Sequence, residues 1–367
     1  MFSLAAPVRG ISRLVFVCAA GFALTLAAPL ASALTFEEIA NLQGPERQKI
    51  LEEGARKEGK VTFYHTMIID QVGQPIMDAF EKRYPFVKIE SIRAAGQQLL
   101  QRVMLEQQAR AVSADVIMAD NVSSFQNSNV AAPFNSPLLA EMGAQNVGPN
   151  RVWVAQRSSW QGIAWNTSMV KDADAPKSWE DLLDPKWKDK LTWSDSSETG
   201  NVRVIMHLIR LWGEEKAVAY LRKLAAQNIK ILPGSVRAVL DQVIAGEFPI
   251  GVSMSMHHIA LSKAIGAPVN GVATDPVISK STVYGLVKGA PHPHAAMLLI
   301  DFMMDKDGGQ AILRDRQYPP GHPGLKALPE LDWVVPARSG KKELVLTAEE
   351  EDRLLPRAAD LNKEIFR

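Results

Sequence analysis

Two loops in this 367-residue chain place hydroxyls and a glycine just ahead of an apolar, helix-like run. Ser194-Asp-Ser-Ser-Glu-Thr-Gly200 precedes a stretch through Trp212, and Pro233-Gly234-Ser235 precedes Val236 to Ala245. At a helix start the first backbone N–H groups have no intrahelical partner and the dipole presents its positive end. A phosphate, phosphonate or carboxylate is held well there. Ser197, Thr199, Gly200 and Ser235 are therefore candidate ligand contacts, while simple capping is the competing reading of the same residues. A second set lies where strands end: Tyr64, His65 and Thr66; Gly96 and Gln97; Asp120 and Asn121; Ser255 and His257. A bound metal would have His65, Asp120 and His257 to recruit. A cationic ligand would have Asp120, Tyr64 and Trp165, through charge and π-face contacts. His257 and His258 are adjacent, so they diverge on a helix or a strand, and only one is expected to face a common cleft. His292 and His294 sit in a proline-rich turn and read as surface residues.

Catalytic patterns are absent. The sequence contains no G-x-S-x-G, no H-E-x-x-H and no P-loop, and no local arrangement pairs a nucleophile with a base. Cys18 is the only cysteine. It lies in the N-terminal segment and follows Val17 where lipidation would need a small residue. A chain cleaved after that segment has no thiol, which excludes disulfides, thiolate metal sites and a cysteine nucleophile. An exported hydrolase stays as the reading from a different class, separable by turnover on generic ester and phosphate substrates.

These residues need a scaffold, and the N-terminus says where it works. Arg9 and Arg13 precede an apolar run from Leu14 to Leu30 that ends on Ala31-Ser-Ala33. This is the three-part pattern of a secretory signal, so residues 1–33 are expected to be removed after Ala33, giving a periplasmic protein. The remaining 34–367 carries 39 basic against 40 acidic residues. That balance gives no electrostatic case for nucleic acid or an anionic membrane. Its length suits two lobes. Lys60 to Tyr64, Val87 to Ile92 and Ala114 to Met118 read as strands alternating with amphipathic helices, which implies parallel strands and right-handed crossovers. Ligands then sit beyond the carboxyl ends of the strands. A second unit starts near Trp160, with strands at Gly162 to Trp165, Leu191 to Trp193, Ile229 to Leu232 and Phe248 to Ser253. The expected division is 34–159 in lobe one, 160–273 in lobe two, and 274–367 returning to lobe one.

Several of these segments resemble a known family. Val61 to Tyr64, Ala114-Asp-Val with Asp120, Gly162-Ile-Ala-Trp-Asn166 and Ser178-Trp-Glu-Asp-Leu-Leu183 are similar to type II periplasmic solute-binding proteins of ABC importers. So are Ala245-Gly-Glu-Phe-Pro-Ile-Gly251 and Lys288-Gly-Ala-Pro-His-Pro-His-Ala-Ala296 followed by Asp301-Phe302. The likeness covers roughly Lys60 to Pro323 and is nearest to the ferric-ion, phosphonate, sugar-phosphate and thiamine branch. It implies an α/β fold of two parallel-type sheets flanked by helices, with a two-crossing hinge. It also implies a monomer without a cofactor, and a membrane permease and ATPase as partners. Ferric-ion-binding members carry a tyrosine pair after the strand matching Phe248 to Ser253. Here the nearest equivalents are Met256 and His257, softer ligands than Fe(III) prefers. The expected ligand is therefore a small anionic organic solute, with ferric iron in a non-tyrosine site as the alternative.

Overall fold

A computed structural model describes residues 34–196 and 200–366. The expected leader, and Ser197 and Thr199 of the first loop, lie outside the described residues. Among the described residues nine strands form: β1 Lys60–His65, β2 Lys88–Arg93, β3 Val116–Ala119, β4 Val154–Asn166, β5 Leu191–Ser194, β6 Lys230–Leu232, β7 Ile250–Ser255, β8 Val269–Leu286 and β9 Glu343–Val345. Their order is β2-β1-β3-β8-β4-β7-β5-β6, with β9 beside β8. β1 runs parallel to β2 and β3, and β5 runs parallel to β6 and β7. These two parallel sets belong to the two lobes of an α/β fold.

The lobes are joined by β4 and β8. They pair antiparallel from Val154 opposite Tyr284 to Asn166 opposite Val269, with register shifts between Ala155 and Arg157 and between Gln161 and Gly162. The chain thus crosses twice, as expected. The hydrogen-bonded ladder nevertheless runs unbroken from one parallel set to the other, because both crossing strands are long enough to belong to each. Shifts of this kind bend and twist a ladder locally, and here they fall beside the polar residues described below.

Each lobe is built on near-continuous apolar strands, as sheets covered on both faces require. Phe63, Ile117, Val154, Leu286 and Ile300 are among the fully buried residues of one cluster. Trp193, Ile205, Leu208 and Val252 belong to a second, and Val239, Met254, Met256 and Ile259 to a third beside it. The segment from Phe36 to Gly59 folds as two helices, Phe36–Ala40 and Arg47–Glu58. Gly44-Pro45 lies between them, and proline at that point cannot continue a helix.

The C-terminal helix, Ala348–Phe366, departs from the chain-order expectation. That reading attached it to lobe one. Its apolar face, with Leu354, Ala358 and Leu361, instead packs into the cluster of Trp193 and Ile205. Arg203 and Glu351 form a buried ion pair at 2.7 Å under this helix. The same helix also reaches Val122–Asn127, where Asp352 accepts from Asn127 Nδ2 at 2.5 Å and from Ser123. Among the described residues, no helix is long and apolar enough to cross a membrane.

Candidate functional site

Strand alternation sets the floor of the site. Arg157 and Ser159 lie two apart on β4 and share a face, as do Lys280 and Thr282 on β8. Pairing puts Arg157 opposite Thr282 and Ser159 opposite Lys280. Four polar side chains thus meet in the middle of the crossing ladder. Asp120, just past the end of β3, joins them. Thr282 Oγ1 donates to its carboxylate at 2.5 Å, and Lys280 Nζ and Arg157 Nη2 stand 3.5 and 3.8 Å away. Burial alone would raise this carboxyl, but Lys280 and Arg157 together outweigh it and hold the group well below the usual carboxylate range.

The walls come from both lobes. Thr66 follows β1 and Arg93 closes β2, its Nε donating to the Met67 carbonyl at 2.9 Å. Opposite are the starts of two helices. Ser235 caps Val236–Ala245 by accepting from the Ala238 N–H at 3.2 Å. Ser255 stands at the head of Met256–Ala264 but makes no capping bond; it accepts from Gln161 Nε2 at 3.3 Å instead. Arg237 donates to Ser262 Oγ at 3.1 Å and pairs with Asp241 at 2.6 Å. The cavity between these walls is about 120 Å3 and partly open to solvent.

His257 and His258 both border this cleft. Their rings lie 4.1 Å apart, and Tyr318 lies 4.7 Å from the His257 ring. The Arg157 guanidinium sits 5.4 Å from the Tyr318 centroid, and the Tyr318 hydroxyl donates to Gln71 Oε1 at 2.6 Å. Burial, then His258 and Arg157, push His257 well below the ordinary histidine range. Burial, then Arg237, push His258 down to about 3. Both rings are therefore neutral near pH 7. Burial raises the Tyr318 phenol. Arg157 Nε, His257 Nδ1 and His258 Nδ1 are buried without a hydrogen-bond partner in the protein.

Of the residues singled out from sequence, the structure brings together Thr66, Asp120, Ser235, Ser255 and His257. The others among the described residues lie elsewhere. Tyr64 is fully buried and donates to Glu106 Oε1 at 2.6 Å; burial first, then Glu106, push its phenol up to about 12. His65 is fully buried 5.0 Å from the Phe63 ring, and burial with Arg93 lowers it to about 4. Gly96 and Gln97 open the Gly96–Gln108 helix. A side chain at Gly96 would come within 3.2 Å of the Ala119 backbone, so that glycine serves close helix–strand packing. Asn121 caps Val122–Asn127, accepting from the Ser124 N–H at 2.7 Å. Gly200 is pressed against the Ser194 carbonyl, where a Cβ would fall at 2.3 Å. Met256 is buried against Gly162. Trp165 donates to Asp172 Oδ1 at 2.7 Å with Lys177 over its ring, so both its faces of chemistry are engaged by the protein.

The metal set of His65, Asp120 and His257 is not assembled. Among the described residues, no three His, Cys, Asp or Glu side chains group so as to hold a metal ion. His65 is withdrawn into the core, and Asp120 already faces two cations.

The sequence reading missed Arg93, Arg157, Arg237, Lys280 and Tyr318, and it expected only one of His257 and His258 where both line the cleft. A signal existed for two of them: Arg157 and Lys280 are charged residues within long, mostly buried strands. Charge inside such a strand is rarely tolerated without a local purpose.

A two-lobed α/β fold with a polar cleft over its crossing strands is the architecture of periplasmic solute-binding proteins. Residues 113–333 match the family of bacterial extracellular solute-binding proteins, and the chain belongs to it. It is similar to a putative 2-aminoethylphosphonate-binding periplasmic protein of Salmonella typhimurium, 24% identical over 52% of this chain and 53% of that one. It is also similar to an Fe(3+)-binding periplasmic protein of Serratia marcescens, 26% identical over 57% of this chain and 64% of the relative. The match thus spans about half the length of the Salmonella protein. Among solved structures, the periplasmic binding protein AfuA from Actinobacillus pleuropneumoniae, with fructose-6-phosphate bound, superposes with a TM-score of 0.70. It covers 83% of this chain and 99% of its own at 22% identity, a likeness of fold.

Proposed function

We propose that this chain is the extracytoplasmic solute-binding subunit of an ABC importer, and that it captures a small organic anion between its lobes. The observation that carries this reading is the charge of the cleft. Among the described residues, four cationic side chains, Arg93, Arg157, Arg237 and Lys280, line it with one carboxylate, Asp120. An ionised group taken out of water needs a counter-charge, and here cations are in excess. Thr66, Ser235, Ser255 and His257 add donors from both walls. The printed ligands of two similar proteins, an aminoethylphosphonate and a sugar phosphate, agree with that chemistry.

The solute leaves the protein unchanged. Donors from both lobes reach it together only when the lobes approach about β4 and β8, so binding favours the closed form. A permease then reads the closed shape, and its ATPase drives import. Export through the N-terminal segment, with cleavage after Ala33, places the chain in the periplasm. Small-angle scattering of protein freed of ligand and then saturated with an organic phosphate should show a smaller radius of gyration. An unchanged radius at saturation, or turnover of the added phosphate, would sink the capture role.

Iron is the weaker reading. Fe(III) wants anionic oxygen donors, and the described cleft offers one carboxylate that faces two cations.

A further inference from the structure

We infer that Asp352, on the C-terminal helix and outside the cleft, is a positioning residue for solute capture: it clasps lobe one to lobe two and favours the arrangement in which both walls line one cavity. The inference rests on the capture reading above and adds to it a residue that tunes closure.

The helix Ala348–Phe366 is anchored on lobe two. Leu354, Ala358 and Leu361 recur at helical spacing and are buried in the cluster of Trp193 and Ile205. Asn362 Oδ1 accepts from Asn201 Nδ2 at 2.8 Å, and the Phe366 ring stands edge-on to Trp193 at 4.8 Å. At about 100° per residue, Asp352 lies about 200° round from Leu354, away from that apolar face. There it meets lobe one. Its carboxylate accepts from Asn127 Nδ2 at 2.5 Å and from the Ser123 hydroxyl. Both donors belong to the helix Val122–Asn127, which Phe125 fixes to lobe one in the cluster of Phe63 and Ile117. That helix begins at the cleft: Asp120 lines it, Asn121 is the cap, and Ser123 follows two residues later.

One carboxylate therefore ties an element of lobe two to an element of lobe one, beside a residue of the cleft. Rotation about β4 and β8 changes the separation of the two helices. A hydrogen bond spans only about half an ångström of donor–acceptor distance. The clasp thus holds in the approached arrangement and is lost when the lobes swing apart. Its bonds go to an ionised acceptor, which strengthens them, while Asp352 is exposed and water competes for it. The resulting bias is modest. It still reaches the ligand, because apparent affinity scales with the fraction of chains already in the competent arrangement.

The test uses the chain from Leu34 onward, with propyl phosphate as the probe. Asp352→Ala leaves every cleft side chain in place. Titration calorimetry should show it binding propyl phosphate about two- to fivefold more weakly than the parent. Asn127→Ala removes a donor from the other lobe. It should weaken binding in the same direction and add little to Asp352→Ala, as one shared interaction requires. Glu349→Ala removes an exposed acid from the first turn of the same helix and should bind as the parent does. The arrangement itself is read without ligand. Cys18 is the only cysteine, so this chain takes spin labels cleanly at Lys57→Cys on lobe one and Lys223→Cys on lobe two, both exposed helical positions. Pulsed dipolar spectroscopy should show ligand-free Asp352→Ala shifted toward the longer inter-lobe distances. Saturation should bring both proteins to one distribution. A merely structural role would lower urea stability and leave affinity and distances of the folded chain as they are.

Equal affinities of parent and Asp352→Ala, or equal ligand-free distance distributions, overturn the clasp and leave anion capture standing. If propyl phosphate does not bind the parent at millimolar concentration, anion capture itself falls, and the ligand-free distances alone decide whether the clasp joins the lobes.

Discussion

Arg203 and Glu351 meet at 2.7 Å beneath the C-terminal helix, both nearly inaccessible. In the cleft, Asp120 stands between Lys280 and Arg157 at 3.5 and 3.8 Å, with Arg93 and Arg237 close by. Both regions take arginine out of water beside an acid. The first ties a helix to its neighbour. In the second the distances are longer, and the Arg157 Nε is left without an acceptor in the protein. A structural ion pair needs its partner, because an uncompensated buried charge is costly. An open guanidinium N–H in a cleft that solvent can enter is tolerable, and it becomes useful once a ligand brings an acceptor.

The comparison breaks most sharply at Arg203. Arg203→Met leaves Glu351 buried without its cation, so stability should fall by about 3–5 kcal/mol. Urea unfolding would measure it. Arg203→Met combined with Glu351→Leu should regain most of the loss, and the folded fraction of either variant should bind propyl phosphate as the parent does. A loss below about 1 kcal/mol, the size of an exposed pair, would mean that the pair is not structural.

The matched change in the cleft is Asp120→Asn. It removes the carboxylate beside Lys280 and Arg157, and stability without ligand should fall by about 1–3 kcal/mol, the scale of a lost charged partner. Unlike the first loss, this one should be reversible by ligand. Added phosphate supplies the charge that Asp120 gave, so the rise in Tm on saturation should exceed that of the parent. An equal rise in both proteins would place Asp120 in the same structural class as Glu351.

How far this was readable in the sequence varies by element. The order of strands and helices was legible because apolar period and punctuation agree along β1, β3 and the helix at Val236–Ala245. Ser235 and Asp120 were legible because strand ends and helix starts of a parallel sheet converge on one crevice. Tyr64 and Asn121 show the limit of that argument. A strand end fixes a neighbourhood, but pleat and capping then decide which way a side chain points, and these two turn to Glu106 and to the Ser124 N–H. Arg157, Lys280 and Tyr318 were beyond reach for another reason. They meet through pairing of β4 with β8 and through a segment that returns late in the chain, and no local period encodes such contacts. The C-terminal helix was misplaced for the same cause, since its apolar face does not say which of two cores it covers.

The smallest effect concerns protons, and it compares buried histidines in the two regions. His207 lies in lobe two within the Asn201–Trp212 helix, its Nδ1 donating to the Arg203 carbonyl at 2.8 Å. Burial, then Arg203, lower it to about 3. His258 in the cleft is lowered to about 3, and His65 to about 4, again by burial first. In each case the folded value is below the unfolded one near 6.5, so between the two the unfolded chain binds more protons. The stability these neutral rings contribute is complete above pH 6.5 and is lost as pH falls toward the folded values. Each ring contributes a slope of about 1 kcal/mol per pH unit in that window. His207→Gln, which keeps a donor for the Arg203 carbonyl, should reduce the slope of stability against pH by one proton between pH 6 and 4.5, as read from urea midpoints. The cleft histidines should behave differently when ligand is present. An anion beside His257 and His258 stabilises their charged forms, so saturating propyl sulfate, whose own charge is constant over this range, should flatten the slope of the parent and of His207→Gln by the same amount. If the ligand leaves the slope unchanged in both proteins, the anion does not lie against the histidine pair, and its place in the cleft must be sought nearer Arg93.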